Sequence, residues 1–226
     1  MTSDTAARAS GSRAGIDPGV LVGYPPDRPV AGTLVLGSEP RLRSGTVVYD
    51  GSRIGDRLQT GHHVVIREQC EIGDDVSVWS NSVIDYGCRM GHRVRIHSNC
   101  YVAQYTEVEE DAFLAPGVTC ANDLYPGQPA SARAMTGPVI GARAQLGVNV
   151  TVLPYVRIGE GALVGGGSVV TRNLPAGVVA FGCPAVVRGH VEELVSIGTR
   201  VVRDPASRSG YRLVDPAGDS RPHDDG

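Results

Sequence analysis

The chain has 226 residues with 21 basic and 24 acidic side chains, and its net charge of −3 gives no reason to expect nucleic acid or an anionic membrane as partner. Every basic residue is arginine, so any phosphate contact must use a guanidinium or a backbone N–H. The start Met1-Thr2-Ser3-Asp4 lacks a basic-then-apolar signal, no run of 18 apolar residues occurs, and the five cysteines form no Cys-x-x-Cys pair, so a cytoplasmic protein with no metal is expected.

Residues 1–15, rich in Ser, Ala, Gly and Arg, are predicted to be a disordered tail. In 16–35 the apolar pieces Val20-Leu21-Val22 and Thr33-Leu34-Val35 are broken by Pro25-Pro26, which suits an N-terminal cap over an otherwise open sheet edge. From Leu36 to Cys120 an aliphatic or near-equivalent residue recurs every six positions without a slip, and the period resumes from Ile140 to Val170. A second column, four residues after the first, holds small or β-branched residues such as Thr46, Ser52, Val64, Cys70, Val76, Ser82 and Cys88. Period six fits neither a helix nor a long flat strand, but it fits short strands joined by tight turns, the hexapeptide β-helix repeat. Both columns then point inward, and the glycines that often follow the aliphatic residue, such as Gly55, Gly73 and Gly91, are expected to supply positive φ at the corners.

Three hexads close one triangular coil of eighteen residues, so the fifteen unbroken hexads predict five coils, with parallel strands about 4.8 Å apart. Residues 121–139, with Pro126, Gly127, Pro129, Gly137 and Pro138, interrupt the register, and a loop of that length in a regular solenoid is usually functional. Two further coils end near Thr171. Residues 190–226 follow as a C-terminal segment, with a short helix or strand over His190 to Ile197 and a mobile tail from Asp204. Cys70, Cys88, Cys100 and Cys120 fall on inward columns and read as small buried filler, Cys70 and Cys88 one coil apart.

The register also assigns outward positions. Glu68, Tyr86, Gln104 and Asn122 stack on one corner, and Gly61, Trp79, His97 and Ala115 on the preceding one, with His62 beside them; both sets are expected to face solvent. Trp79, the only tryptophan, suits a subunit interface or a stacked ligand. Histidine suits proton transfer near neutral pH, and of the six present His97 stands out because it faces the loop-bearing side one coil before Asn122, with His62 second.

Three motifs, Ile72-Gly73-Asp74-Asp75-Val76, Leu114-Ala115-Pro116-Gly117-Val118 and Ile158 to Thr171, together with the closing Gly182-Cys183-Pro184-Ala185, resemble the hexapeptide-repeat acyltransferase superfamily. The resemblance implies an all-β, left-handed parallel β-helix over 36–189 with a short C-terminal cap, and a homotrimer with active sites between prisms. Cys120-Ala121-Asn122-Asp123-Leu124-Tyr125-Pro126 resembles the Thr-Asn-Asp-x-x-Pro segment of N-acetyltransferases that modify nucleotide-linked amino sugars. It implies that Asn122 orients the acceptor amine, that Asp123 accepts its proton or holds it, and that Tyr125 lies against the substrate; an Asx-turn is the plain structural alternative. His97 is the candidate base, with His62, Tyr86 and Trp79 as substrate contacts. Tyr86 departs from the His or Asn expected in its segment. For the co-substrate acetyl-CoA, the resemblance implies contacts from backbone N–H groups around Gly147 and Gly165 and from the guanidinium groups of Arg172 and Arg188. Competing readings are an O-acetyltransferase, disfavoured by the absence of a His-Pro near Asn122, and a γ-type carbonic anhydrase with zinc on His62, His92 and His97, disfavoured because His92 falls on another corner. A third is a non-catalytic β-helix.

Overall fold

The structure, a computed structural model, describes residues 15–193, 200–203 and 211–214. The tail expected over 1–15 therefore lies outside the described residues except for Gly15. So does most of the tail expected from Asp204, although Tyr211–Val214 within it pairs antiparallel with Arg200–Arg203.

The chain winds into a left-handed parallel β-helix with three sheets as its faces. Face 1 carries Val47–Tyr49, Val65–Ile66, Val83–Ile84, Tyr101–Val102, Thr119–Cys120, Thr151–Val152 and Val169–Val170. Face 2 runs from Val35–Leu36 through Arg89–Met90 to Arg157–Ile158, and face 3 from Gln59–Thr60 through Arg95–Ile96 to Val178–Gly182. Neighbouring strands are eighteen residues apart until the loop, as Val83 opposite Tyr101 shows, and thirty-two across it, as with Thr119 opposite Thr151. Residues 16–35 extend the helix: Ile16 bridges Leu42, and Leu21–Tyr24 adds a parallel strand beside Val47–Tyr49. At the other end Gly182 to Ala185 forms the turn of an antiparallel hairpin with Ala185–His190.

Both inward columns form the core. Ile66, Ile84, Ile96, Leu114, Ile140 and Ile158 are fully buried, as are Val64, Val76, Val94 and Val118 of the second column. Polar members of these columns are satisfied locally: Thr46 and Thr60 share a 3.0 Å hydroxyl contact, and the Ser82 hydroxyl donates to the carbonyl of His97 at 2.8 Å. The four inward cysteines are buried free thiols.

The corners correct one expectation. Positive φ falls three residues after the column residue at every regular corner, though not at Asp123 or Asn173, and it is mostly carried by non-glycine side chains such as Arg57 (φ 58°), Asn81 (60°) and Tyr155 (64°). The glycine immediately after the aliphatic residue serves close approach instead. A Cβ at Gly73 would sit 2.9 Å from both the carbonyl carbon of Gly91 and the amide nitrogen of His92 on the next coil. Coil spacing is fixed by the ladder hydrogen bonds, so only glycine leaves room for the backbone passing over it.

The three faces differ in character. The outward row of face 1 is apolar through Leu21, Val47, Val65, Val83 and Tyr101. That of face 2 alternates Arg53, Glu71, Arg89 and Glu107, with Arg89 3.5 Å from Glu71 and 3.7 Å from Glu107. Face 3 presents Gln59, Ser77, Arg95, Phe113 and Gln145.

Candidate active site

The corner between faces 3 and 1 carries His97. Its backbone N–H donates to Leu114 in the ladder at 2.8 Å, which fixes the imidazole between two coils. The ring centroid lies 3.6 Å from that of Trp79 and 5.1 Å from that of Phe113, over which the Arg95 guanidinium stacks at 5.2 Å. Burial, and then the charge of Arg95, pull the His97 pKa below its ordinary value. The imidazole is therefore neutral and able to accept a proton at neutral pH. Trp79, 45 % exposed, covers it from the preceding coil. His62 is exposed two coils earlier, with Nδ1 2.9 Å from the Ser44 hydroxyl and its backbone N–H donating to Ser80 Oγ at 3.0 Å.

Gly147 and Gly165 continue the same corner, and their own N–H groups are committed to the ladder, donating to Val164 at 2.8 Å and Ala180 at 2.9 Å. Among the described residues, the adjacent N–H groups of Val148 and Gly166 have no protein acceptor, so a donor to a ligand at this corner would come from them. Gly165 lies under Phe181, whose Cβ would be 2.8 Å from a Cβ added there, and Arg188 stacks on Phe181 at 5.5 Å. Arg172 is exposed on a different corner, after the last strand of face 1, so the two arginines are not brought together.

The corner between faces 1 and 2 carries Asn122. Its side-chain amide donates to Gln104 one coil earlier, its side-chain oxygen has no protein donor among the described residues, and its backbone carbonyl accepts from Thr136 at 3.0 Å, closing the loop. The Asp123 Oδ1 accepts from the Tyr125 N–H at 2.8 Å, the Asx-turn arrangement, and the other carboxylate oxygen has no protein donor among the described residues. Tyr125 is 67 % exposed on the loop, which is held on its far side by the Tyr155 hydroxyl donating to the Ala134 carbonyl.

Two of the residues expected to face solvent are buried. Ala115 is too short to reach past the corner backbone. Glu68, at the foot of the Asn122 column, is fully buried because Arg67 grips it at 2.9 and 3.1 Å and Arg28 reaches it at 2.8 Å. Burial raises the Glu68 pKa, but the hydrogen bonds from Arg67 and the two guanidinium charges outweigh it and hold the carboxyl below its usual range. Arg28 also lies over the Tyr86 ring at 3.6 Å, and Tyr105 meets Tyr86 edge-on at 5.2 Å.

Within one chain the structure therefore joins Trp79 to His97, and Asn122 to Asp123 and Tyr125 with Tyr86 two coils below. It does not join the two groups, which flank opposite edges of face 1. His92 lies on the remaining corner, its Nδ1 accepting from the Asp74 N–H at 3.0 Å, away from both. Among the described residues of one chain, no group of three or more His, Cys, Asp or Glu side chains could hold a metal ion.

A model of the family "Bacterial transferase hexapeptide (six repeats)" matches residues 51–85 and 137–172, the coils on either side of the loop. Those 71 of 226 residues carry hexapeptide repeats of that family's kind. This hexapeptide-repeat chain is 48 % identical over 48 residues to galactoside O-acetyltransferase of Lactococcus lactis, covering 21 % of this chain and 23 % of that protein. It is 41 % identical over 59 residues to 2,3,4,5-tetrahydropyridine-2,6-dicarboxylate N-acetyltransferase of Clostridium perfringens, covering 26 % of this chain and 25 % of that one. The matched stretches thus span about a quarter of these curated relatives. In structure the hexapeptide-repeat chain is similar to the polySia specific acetyltransferase NeuO, with a TM-score of 0.58 at 18 % identity over 79 % of this chain and 88 % of that one. It is also similar to UDP-N-acetylglucosamine acyltransferase from Campylobacter jejuni, with a TM-score of 0.53 at 17 % identity over 86 % and 81 %. At those identities the likeness is one of fold.

Proposed function

We propose that the protein is an acetyl-CoA-dependent N-acetyltransferase acting on the amino group of a nucleotide-linked amino sugar, and that it works as a homotrimer. What supports the reading is the placement of a neutral His97 and an outward Asn122 on the two corners that flank the apolar face 1. Two such corners can serve one reaction only when prisms pack side by side, His97 of one approaching the loop of the next. Similarity to acetyltransferases of both amino and hydroxyl acceptors supports the acetyl group.

In this reading the Asn122 side-chain oxygen accepts from the acceptor amine and aims its lone pair at the thioester carbonyl. The free oxygen of Asp123 accepts from that same N–H, which leaves the amine's second N–H to His97. As the nitrogen–carbon bond forms, His97 takes the amine proton, and the Val148 or Gly166 N–H steadies the developing oxyanion. When the carbon–sulfur bond breaks, His97 returns that proton to the leaving thiolate. Tyr86, Trp79, Tyr125 and His62 line the approach, and Arg172 and Arg188 are the guanidinium groups offered to CoA phosphates.

A hydroxyl acceptor is the second reading, favoured by the 48 % match to galactoside O-acetyltransferase. Thiol release from acetyl-CoA, measured across UDP- and dTDP-linked 3-amino and 4-amino sugars and matched hydroxyl sugars, separates the two. Release with the amino sugars alone supports N-acetylation. Release only with hydroxyl sugars moves the activity to the oxygen, and silence across the panel removes both.

A further inference from the structure

Arg28 belongs to no repeat. It lies in the segment between the strand Leu21–Tyr24 and face 2, yet it is held from two sides on the corner that carries Asn122. Its Nε meets Glu68 at 2.8 Å, and Glu68 has no exposed side-chain surface. Its guanidinium lies over the Tyr86 ring at 3.6 Å, and Tyr105 braces that ring edge-on at 5.2 Å. A long, rotamer-rich side chain is thus fixed flat before any ligand arrives, while 42 % of it remains open to solvent. Burying a carboxylate costs free energy unless it is paired, and here the pairing fixes a surface cation in one orientation.

We infer that the exposed face of Arg28 is a stacking platform for the base of a nucleoside diphosphate, with the diphosphate running along the corner toward Asn122. A flat cation backed by an aromatic ring suits a planar base carrying an anionic tail. Gln104 and Asn122 stand one and two coils beyond Tyr86, which places Asn122 about 10 Å away at about 4.8 Å per coil, a span that a ribose, a diphosphate and the sugar ring cover in a bent rather than an extended conformation. The inference rests on the nucleotide-linked acceptor proposed above and locates its nucleotide end.

Isothermal titration with UDP and dTDP, without acetyl-CoA or an amino sugar, tests the platform by itself. Wild-type protein is expected to bind at least one of them, and Arg28→Ala to weaken that binding about tenfold or more, the loss of one stacked base. Arg28→Lys retains a cation for Glu68 but no flat face, and it is expected to lose binding similarly with an unchanged melting temperature. The inference is overturned if wild type binds neither nucleotide, if either variant binds as wild type does, or if inorganic pyrophosphate binds as tightly as UDP with the same dependence on Arg28. Arg28-dependent binding without acetylation of any nucleotide sugar would retain the platform and remove the proposed function. Acetylation with binding indifferent to Arg28 would do the reverse.

Discussion

Two glycines separate close approach from backbone conformation within one molecule. Gly161 has φ +63° and nothing within 4 Å of an added Cβ, whereas Gly73 lacks a positive φ and faces the backbone of Gly91 and His92 at 2.9 Å. Alanine at Gly161 therefore adopts a left-handed conformation at about 1–2 kcal/mol, partly offset by about 0.4–1 kcal/mol of lost unfolded-state entropy. Arg57 and Asn81 already adopt that conformation at equivalent corners. Alanine at Gly73 incurs no φ penalty, but it must push two coils apart by a few tenths of an ångström against ladder bonds such as Gly73 N–H to the Met90 carbonyl at 2.9 Å. Overpacking of that kind costs about 3 kcal/mol. Thermal unfolding followed by circular dichroism should then show a fall of about 2–4 °C for Gly161→Ala and about 6–12 °C for Gly73→Ala. Equal falls, or the reverse order, would refute the assignment of the corner glycines to coil spacing.

The shared site predicts complementation. His97→Ala and Asn122→Ala should each lower kcat about 100-fold or more with folding intact, yet their 1:1 co-assembly should recover about a quarter of wild-type activity, since that fraction of interfaces draws an intact residue from each chain. No recovery would place both residues in one prism's site. Because burial and Arg95 hold the His97 pKa down, the native state binds fewer protons than the unfolded chain between the native pKa and about 6.5. Its contribution to stability is present above that window and lost as pH falls through it. Trp79→Ala exposes the imidazole, so the acid limb of kcat/KM should move to higher pH; an unmoved limb would exclude His97 as the base. In native protein a thiol reagent at pH 8 should label only Cys183, the exposed one of five cysteines, with Cys120 pushed up to about 12 by burial. Rapid labelling of two or more thiols would contradict the buried columns, and the Cys183 signal has to be subtracted from any thiol-release assay.

The coils were legible because each hexad makes the same local demand, one aliphatic and one small residue inward, and the pattern repeats often enough to fix the register. The same arithmetic stacks Gln104 beneath Asn122, as the structure does; the pairing of Arg95 with Phe113 is seen only in the structure. Glu68 and Arg28 were not legible. The register places Glu68 outward, and the arginine that covers it lies forty residues earlier in a segment without a period. Sequence alone does not reveal which corner residue passes under the next coil, so the glycines after the aliphatic column read as positions of positive φ although they serve close approach. His97 and Asn122 fell on separate corners in the sequence as they do in the structure, but the register of one chain carries no information about how prisms meet.

The alternating row on face 2 bears on how such a repetitive chain finds its register. Surface ion pairs like those of Arg89 with Glu71 and Glu107 add little stability, about 0–1 kcal/mol each. Their order matters more. Every coil offers the next a similar edge, so a growing helix could skip one coil and still bury aliphatic residues. Skipping a coil would set Arg53 against Arg89 and Glu71 against Glu107, like charges directly opposite on neighbouring strands. Over the four coils from Arg53 to Glu107 the row therefore penalises a one-coil slip that the hydrophobic pattern alone would accept.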